Sequence, residues 1–328
     1  MPESPTNPPS ERMPDQSSPP PSTGIDSIED RITRLFVSPH GIRAGWRWLM
    51  FVGMLFACAA ALVIVAFATH LLRFHGTSPS AQSFTASSVL VQEAIFVISM
   101  SVAAFIMSKI EHRPMAQYGL PARNAFRARF WEGIVWGFAA ITATLLMIAA
   151  LHGLTFGSVS MASRALVGYA FVWAIAFLLT GFSEEFMFRG YSQFTLSTGM
   201  GFWPAAIFLS LLFGAAHLSN PGEAWPGALA AGFIGLFWCF TLRRTGDIWF
   251  AVGLHAAWDY GETFVYGVPD SGFAAPGHLL NSSFHGPRWL TGGKVGPEAS
   301  FACFVVIALM FLIFHFVHPS RPSTTPRS

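Results

Sequence analysis

The stretch GFSEEFMFRG, residues 181–190, sets two glutamates and an arginine at the end of LVGYAFVWAIAFLLT, a run without a single charge. On a helix, residues four apart share a face, whereas neighbours diverge by about 100°. Glu185 and Arg189 can therefore pair, and Glu184 points along an adjacent face with no partner of its own. An ionised group at membrane depth costs at least ~2.5–3.5 kcal/mol on insertion scales, so residues of this kind mark function. Pairing makes the charges of Glu185 and Arg189 tolerable in a low dielectric. Glu184 is left for chemistry, as a general base or a general acid.

Two more apolar segments carry reactive residues at the same spacing. SLLFGAAHLSN (210–220) holds Phe213 and His217, and DIWFAVGLHAAWDYGE (247–262) holds His255 and Asp259. His and carboxylate on one face serve a metal ion, an activated water or a proton relay, and spacing alone does not choose among them. Both histidines sit among glycine and alanine, which lets helices approach closely. Phe213 reads as packing beside the site. His152 and His315 read as packing or interfacial residues, and Glu93, Glu132 and Glu262 as interfacial carboxylates. Cys58, Cys239 and Cys303 stand singly in apolar runs, with neither CxxC spacing nor an even extracellular set, so they offer no disulfide framework and no cysteine-bound zinc.

The elements that must position these residues follow from composition. Of 328 residues, 52% are hydrophobic and 11% charged, and 33 are phenylalanine, which lies outside the range of soluble domains. The chain reads as an all-α polytopic membrane protein. Apolar runs of about 20 residues, the length that crosses a bilayer, fall near 47–72, 86–109, 130–154, 163–183, 201–218, 226–242, 247–266 and 299–318. That makes about eight transmembrane helices, with the reactive residues on those near 165–190, 201–218 and 247–266.

The organisation expected is a disordered cytoplasmic tail over 1–40, rich in Pro and Ser, then N-terminal transmembrane helices over 41–160. A catalytic core over 161–266 follows, then a loop over 267–298 and a last helix with a short tail over 299–328. The loop contains seven Gly and four Pro; it reads either as a mobile lid or as a passive connector. With the N-terminus in the cytoplasm, the cytoplasmic side receives Arg12, Arg31, Arg34, Arg43, Arg47, Lys109, Arg113, Arg123, Arg127, Arg129, Arg243, Arg244, Arg321 and Arg327. The other side receives only Arg73, Arg164, Arg288 and Lys294. The positive-inside rule then sets both termini in the cytoplasm.

Taken together, EExxxR, FxxxH and HxxxD, each in its own hydrophobic segment and in this order, resemble the signature of the CPBP family, the CAAX proteases and bacteriocin-processing enzymes, also called the Abi family. The resemblance spans about residues 165–265. It implies an α-helical intramembrane endopeptidase with a catalytic cavity open to the cytoplasmic side. Glu184 would activate water with His217 beside it, His255 and Asp259 would face the same water or the scissile carbonyl, and Glu185 and Arg189 would hold the site together. Many relatives carry Asn where Asp259 stands.

The resemblance leaves the metal open. A carboxylate at 259 favours one divalent ion, zinc, held by His217, His255 and Asp259; the alternative is a protonated Asp259 donating a hydrogen bond to the oxyanion. The expected partners are membrane lipids and a membrane-associated peptide or protein substrate, with no nucleic acid, and the expected location is a bacterial inner membrane. Two other classes compete: a catalytically inactive scaffold or bacteriocin-immunity protein on the same fold, and a transporter, whose marks would be an internal repeat and broken helices. Neither mark is visible in the sequence.

Overall fold

The computed structural model describes residues 33–39, 41–69, 85–160 and 163–319. Before residue 44 these form a small unit of their own. A helical turn at 33–36 leads into β1 (Val37–Ser38), which pairs antiparallel with β2 (Gly41–Ile42) in the register Val37↔Ile42. Gly41 closes the turn at φ +99°, a conformation that glycine adopts without steric cost. Val37 and Ser38 thus take a strand conformation within the stretch expected to belong to the tail. Residues 1–32 and 40 of that tail, the segment 70–84 with Arg73, residues 161–162 and residues 320–328 lie outside the described residues.

From residue 44 onward the fold is helical, and each apolar run becomes a helix. These are α1 (Ala44–Ala68), α2 (Ala86–Ile110), α3 (Ala128–Ala150), α4 (Ser163–Glu185) with its extension α5 (Gln193–Met200), α6 (Phe202–His217), α7 (Trp225–Thr245), α8 (Trp249–Asp259), the short α9 (Arg288–Thr291) and α10 (Phe301–Val317). Among the described residues, five helical segments are long and apolar enough to cross a membrane, and α6 and α10 are shorter apolar helices. The chain is an integral membrane protein.

Local signals set several ends. Thr85 caps α2 in a reciprocal box with Ser88, Ser300 caps α10 by accepting from the Cys303 amide, and α7 stops at Gly246, which takes φ +90°.

The largest departure from the expected boundaries concerns the fourth span. It does not stop near residue 183 but runs on through a π-helical turn, Phe186–Ser192, into α5, with Gly190 at φ −84° and ψ −110° marking the kink. A second π-helical turn, Tyr260–Val265, extends α8. Two helices are therefore irregular, which the hydropathy pattern did not reveal. Each irregularity begins directly after a pair of reactive residues. π-turns inside helices occur frequently at functional sites.

Glycines let the bundle close. A Cβ on Gly133 would strike the Phe250 carbonyl, one on Gly137 the Leu254 carbonyl, and one on Gly253 the Phe130 carbonyl, so α3 and α8 meet backbone to backbone. In lipid, where tails are as apolar as side chains, such close van der Waals contact is what drives helix association.

The bundle has two distinct ends. At one, Asn124 donates to Asp247, Arg244 reaches the His318 carbonyl and Arg47 pairs with Glu111 at 2.9 Å. This end collects Arg47, Lys109, Arg113, Arg123, Arg127, Arg129, Arg243 and Arg244. At the other, β3 (Leu154–Thr155) pairs with β4 (Ser283–Phe284), the Gly272 amide donates to the Val295 carbonyl, and the Asn281 amide donates to that of Ser158. Of the described Lys and Arg residues only Arg164, Arg288 and Lys294 belong there.

Candidate active site

The helical spacing of Glu185 and Arg189 becomes a contact: Arg189 Nη1 donates to Glu185 Oε1 at 3.2 Å, with both side chains fully buried. The same Oε1 accepts from His255 Nδ1 at 3.1 Å. Because a carboxylate can only accept, the His255 proton facing it sits on Nδ1, which fixes the ring's orientation and turns Nε2 the other way. Nε2 lies 3.8 Å from Glu184 Oε2 and 3.6 Å from Asp259 Oδ2. Glu185 is thus occupied on the buried side by Arg189 and His255. Glu184 has 32% of its side chain exposed and opens into a cavity.

Within the π-turn 186–192, Arg189 lies beneath Glu185 in a cage of rings, 4.4 Å from the Phe213 ring centre and 4.9 Å from that of Trp238. Cation–π contact of this kind is strongest where water is excluded. Gly235 makes the room, since a Cβ there would strike Arg189 Nη2.

Trp238 also stacks on His255, with ring centres 4.5 Å apart and planes 18° from parallel. It links the two halves of the site, and the sequence offered no signal for it beyond its being one Trp among eleven. Phe213 is buried and packs its ring against Arg189 and His217, as its spacing suggested. The His217 ring donates from Nδ1 to the Phe213 carbonyl at 2.8 Å, which leaves Nε2 toward the cavity that His217 lines.

The cavity measures about 290 Å³. Glu184, His217, His255 and Asp259 line it, together with Glu93, Trp238 and, at its mouth, Asn220, Glu223, Asp270, Ser271 and Glu298. Burial raises the Glu223 carboxyl above its ordinary range, an effect that the Ala224 amide partly offsets. Two readings of single residues change. Glu93 is 9% exposed and accepts a 2.7 Å hydrogen bond from Ser183, and Glu262 is fully buried, so neither is interfacial. Glu132 does sit at an end, half-buried and bonded to Arg129 and His318. The 267–298 segment is a wall of the cavity through Asp270, Ser271, Phe273 and Glu298.

The cavity reaches the end of the bundle away from the basic cluster, where Asn220 and Glu223 of the 218–224 turn and Asp270, Ser271, Phe273 and Glu298 of the 267–298 segment line it. As for zinc, tetrahedral ligand atoms around one ion lie within about 4 Å of each other. His255 and Asp259 satisfy this, but His217 does not join them: among the described residues, the one group of three His, Cys, Asp or Glu side chains with ligand atoms within 4.8 Å of one another is Glu262, Asp270 and Glu298. The residues as arranged do not fit a shared zinc ion.

The bundle thus buries a Glu–Arg–His network behind one half-buried glutamate that lines a cavity. Residues 166–261 match the family model described as Rce1-like, type II CAAX prenyl endopeptidase Rce1-like. That segment contains Glu184, Glu185, Arg189, His217, His255 and Asp259, and over it the chain is similar to CAAX-type intramembrane proteases. No curated protein matches the chain.

Proposed function

We propose that the protein is an intramembrane endopeptidase in which Glu184 activates water. The observation that carries this reading is the division of labour between two adjacent carboxylates: Glu185 is committed to Arg189 and His255, and Glu184 opens to the cavity. Glu184 takes a proton from water as its oxygen attacks the scissile carbonyl, and returns that proton to the leaving amine. His255, oriented by Glu185 through Nδ1 and held by Trp238, donates to the developing oxyanion from Nε2 when that nitrogen also carries a proton, with a protonated Asp259 as the second donor beside it. His217 presents Nε2 from the opposite wall. No step passes through a metal.

The basic end of the bundle lies in the cytoplasm in this reading, with both termini there, in a bacterial inner membrane. The cavity then faces the other side, contrary to what the family resemblance implied. The substrate is a membrane-associated peptide or protein segment that reaches the cavity from the translocated face or from the lipid around it. CAAX prenyl cleavage is the property in the family's name, and this orientation does not suit a cytoplasmic prenylated terminus.

Purified protein incubated with quenched-fluorescent peptides in detergent, with Glu184→Gln as control, tests the reading. Cleavage by the parent and none by the variant is the expected result. A folded parent that cleaves nothing would favour the inactive scaffold or the transporter.

A further inference from the structure

Three carboxylates from three separate places in the chain converge beside the cavity mouth. Glu262 comes from the π-turn that extends α8, Asp270 from the strand of chain that leaves it, and Glu298 from the turn before α10. One ligand atom from each lies within 4.8 Å of the other two. No described Lys, Arg or His forms an ion pair with any of them.

Hydrogen bonds account for only part of the set. Asp270 Oδ2 accepts from the Thr263 hydroxyl at 3.0 Å, and Glu298 Oε2 accepts from the Ser271 amide and hydroxyl at 2.9 and 2.6 Å. Glu262 is fully buried, and neither of its oxygens has a hydrogen-bond partner. It also stands in the last turn of its helix, where the dipole disfavours a negative charge.

A cradle surrounds the orphaned carboxylate. Gly296 takes φ +110°, and a Cβ there would strike the Pro269 carbonyl oxygen and come within 3.3 Å of Glu262 Oε1. The chain thus keeps a side chain out of the space between a carbonyl oxygen and an unpartnered carboxylate.

We propose that Glu262, Asp270 and Glu298, with the Pro269 carbonyl, bind a hard divalent cation of calcium's size. Oxygen-only donors of this charge select calcium, magnesium or manganese over zinc, and calcium tolerates an irregular shell of six to eight oxygens completed by water. The ion ties the wall at 267–298 to the C-terminal end of the helix that carries His255 and Asp259. It does not depend on the proposed peptidase activity, and it is distinct from the zinc site considered above.

Terbium is the probe, since it replaces calcium on oxygen ligands and Trp258, one turn before Glu262, can sensitise its luminescence. Full-length protein in detergent is titrated with terbium and then with calcium, and its unfolding midpoint is followed in calcium and in EGTA. Saturable emission near one ion per chain, displaced by calcium, with a midpoint that rises in calcium, is expected. Glu298→Gln and Asp270→Asn each weaken terbium binding by about tenfold or more, because ligand charge sets affinity at such sites. Glu184→Gln abolishes cleavage yet leaves terbium binding unchanged.

Absence of saturable emission, failure of calcium to compete, or emission that survives both carboxylate substitutions overturns the proposal in favour of protons shared among the carboxylates. Emission lost in Glu184→Gln would instead put the ion in the catalytic cavity, which also overturns it. If the substituted proteins do not fold, the parent's calcium competition and midpoint shift decide.

Discussion

At the scale of single residues, neighbours 184 and 185 are separated by what their oxygens can reach. Glu185 accepts from both Arg189 and His255 and sees no solvent, whereas Glu184 keeps contact with the cavity. Glu184→Gln therefore abolishes turnover and leaves the unfolding midpoint near that of the parent. Arg189→Ala behaves differently: it strands Glu185 as a buried charge, at a cost of ~3–5 kcal/mol, and lowers the yield of folded protein. Adding Glu185→Gln to Arg189→Ala removes the stranded charge and recovers part of that yield without recovering activity, since His255 loses its charged acceptor. Size-exclusion chromatography in detergent beside a cleavage assay reads both quantities; full activity in Arg189→Ala would refute the arrangement. Asp259 offers a second residue-scale test. With His217 outside metal reach, Asp259→Asn keeps activity, and a zinc chelator leaves the parent unaffected. Loss of activity in Asp259→Asn that added zinc restores would return a metal to the mechanism.

At the scale of elements, α3 and α8 are in contact along their backbones, and α8 carries His255 and Asp259. A methyl group on Gly137 meets the Leu254 carbonyl one residue before His255. Gly137→Ala consequently forces the helices apart and costs ~1–3 kcal/mol, as overpacking of a closed core does. Gly53→Ala in α1, where a Cβ finds nothing within 4 Å, does not destabilise and can stabilise by up to ~1 kcal/mol through helix propensity. Thermal unfolding in one detergent compares the two directly, and equal midpoints would deny that the helix contact is tight. The π-turns belong to this scale as well. Each begins just after a reactive pair, where it interrupts the helix's regular face.

For the molecule as a whole, the end with the basic residues and the end with the cavity mouth are opposite, and one topology measurement decides both. Reporters fused after residue 120 or 245 are expected to read cytoplasmic, and one after residue 280 translocated. In a background free of Cys58, Cys239 and Cys303, a cysteine at Asn220 on the cavity rim is then labelled by a membrane-impermeant maleimide added outside intact cells. Labelling from the cytoplasmic side only, with residue 120 translocated, would invert the protein and restore the cavity orientation that the family resemblance implied.

Much of this architecture was legible in the residues alone, because its causes are local. A run of apolar side chains long enough to cross lipid specifies a helix wherever it occurs, and each expected span matches a helix to within a few residues at most ends. A four-residue spacing likewise commits Glu185 to Arg189 before any tertiary contact is known. Where local causes run out, so did the reading. The continuation of the fourth span to Met200, the burial of Glu93 and Glu262, and the strand pairing of Val37 and Ser38 depend on neighbours that hydropathy does not see. The His255–Glu185 bond joins residues 70 positions apart, and the stack on Trp238 joins two helices. Helix packing alone sets such distances, and it also decided that the cavity opens between the 218–224 turn and the 267–298 segment. The sequence determined which groups were present and which pairs shared a face; only the packed bundle, in which glycines bring backbones together, decided which of those faces meet.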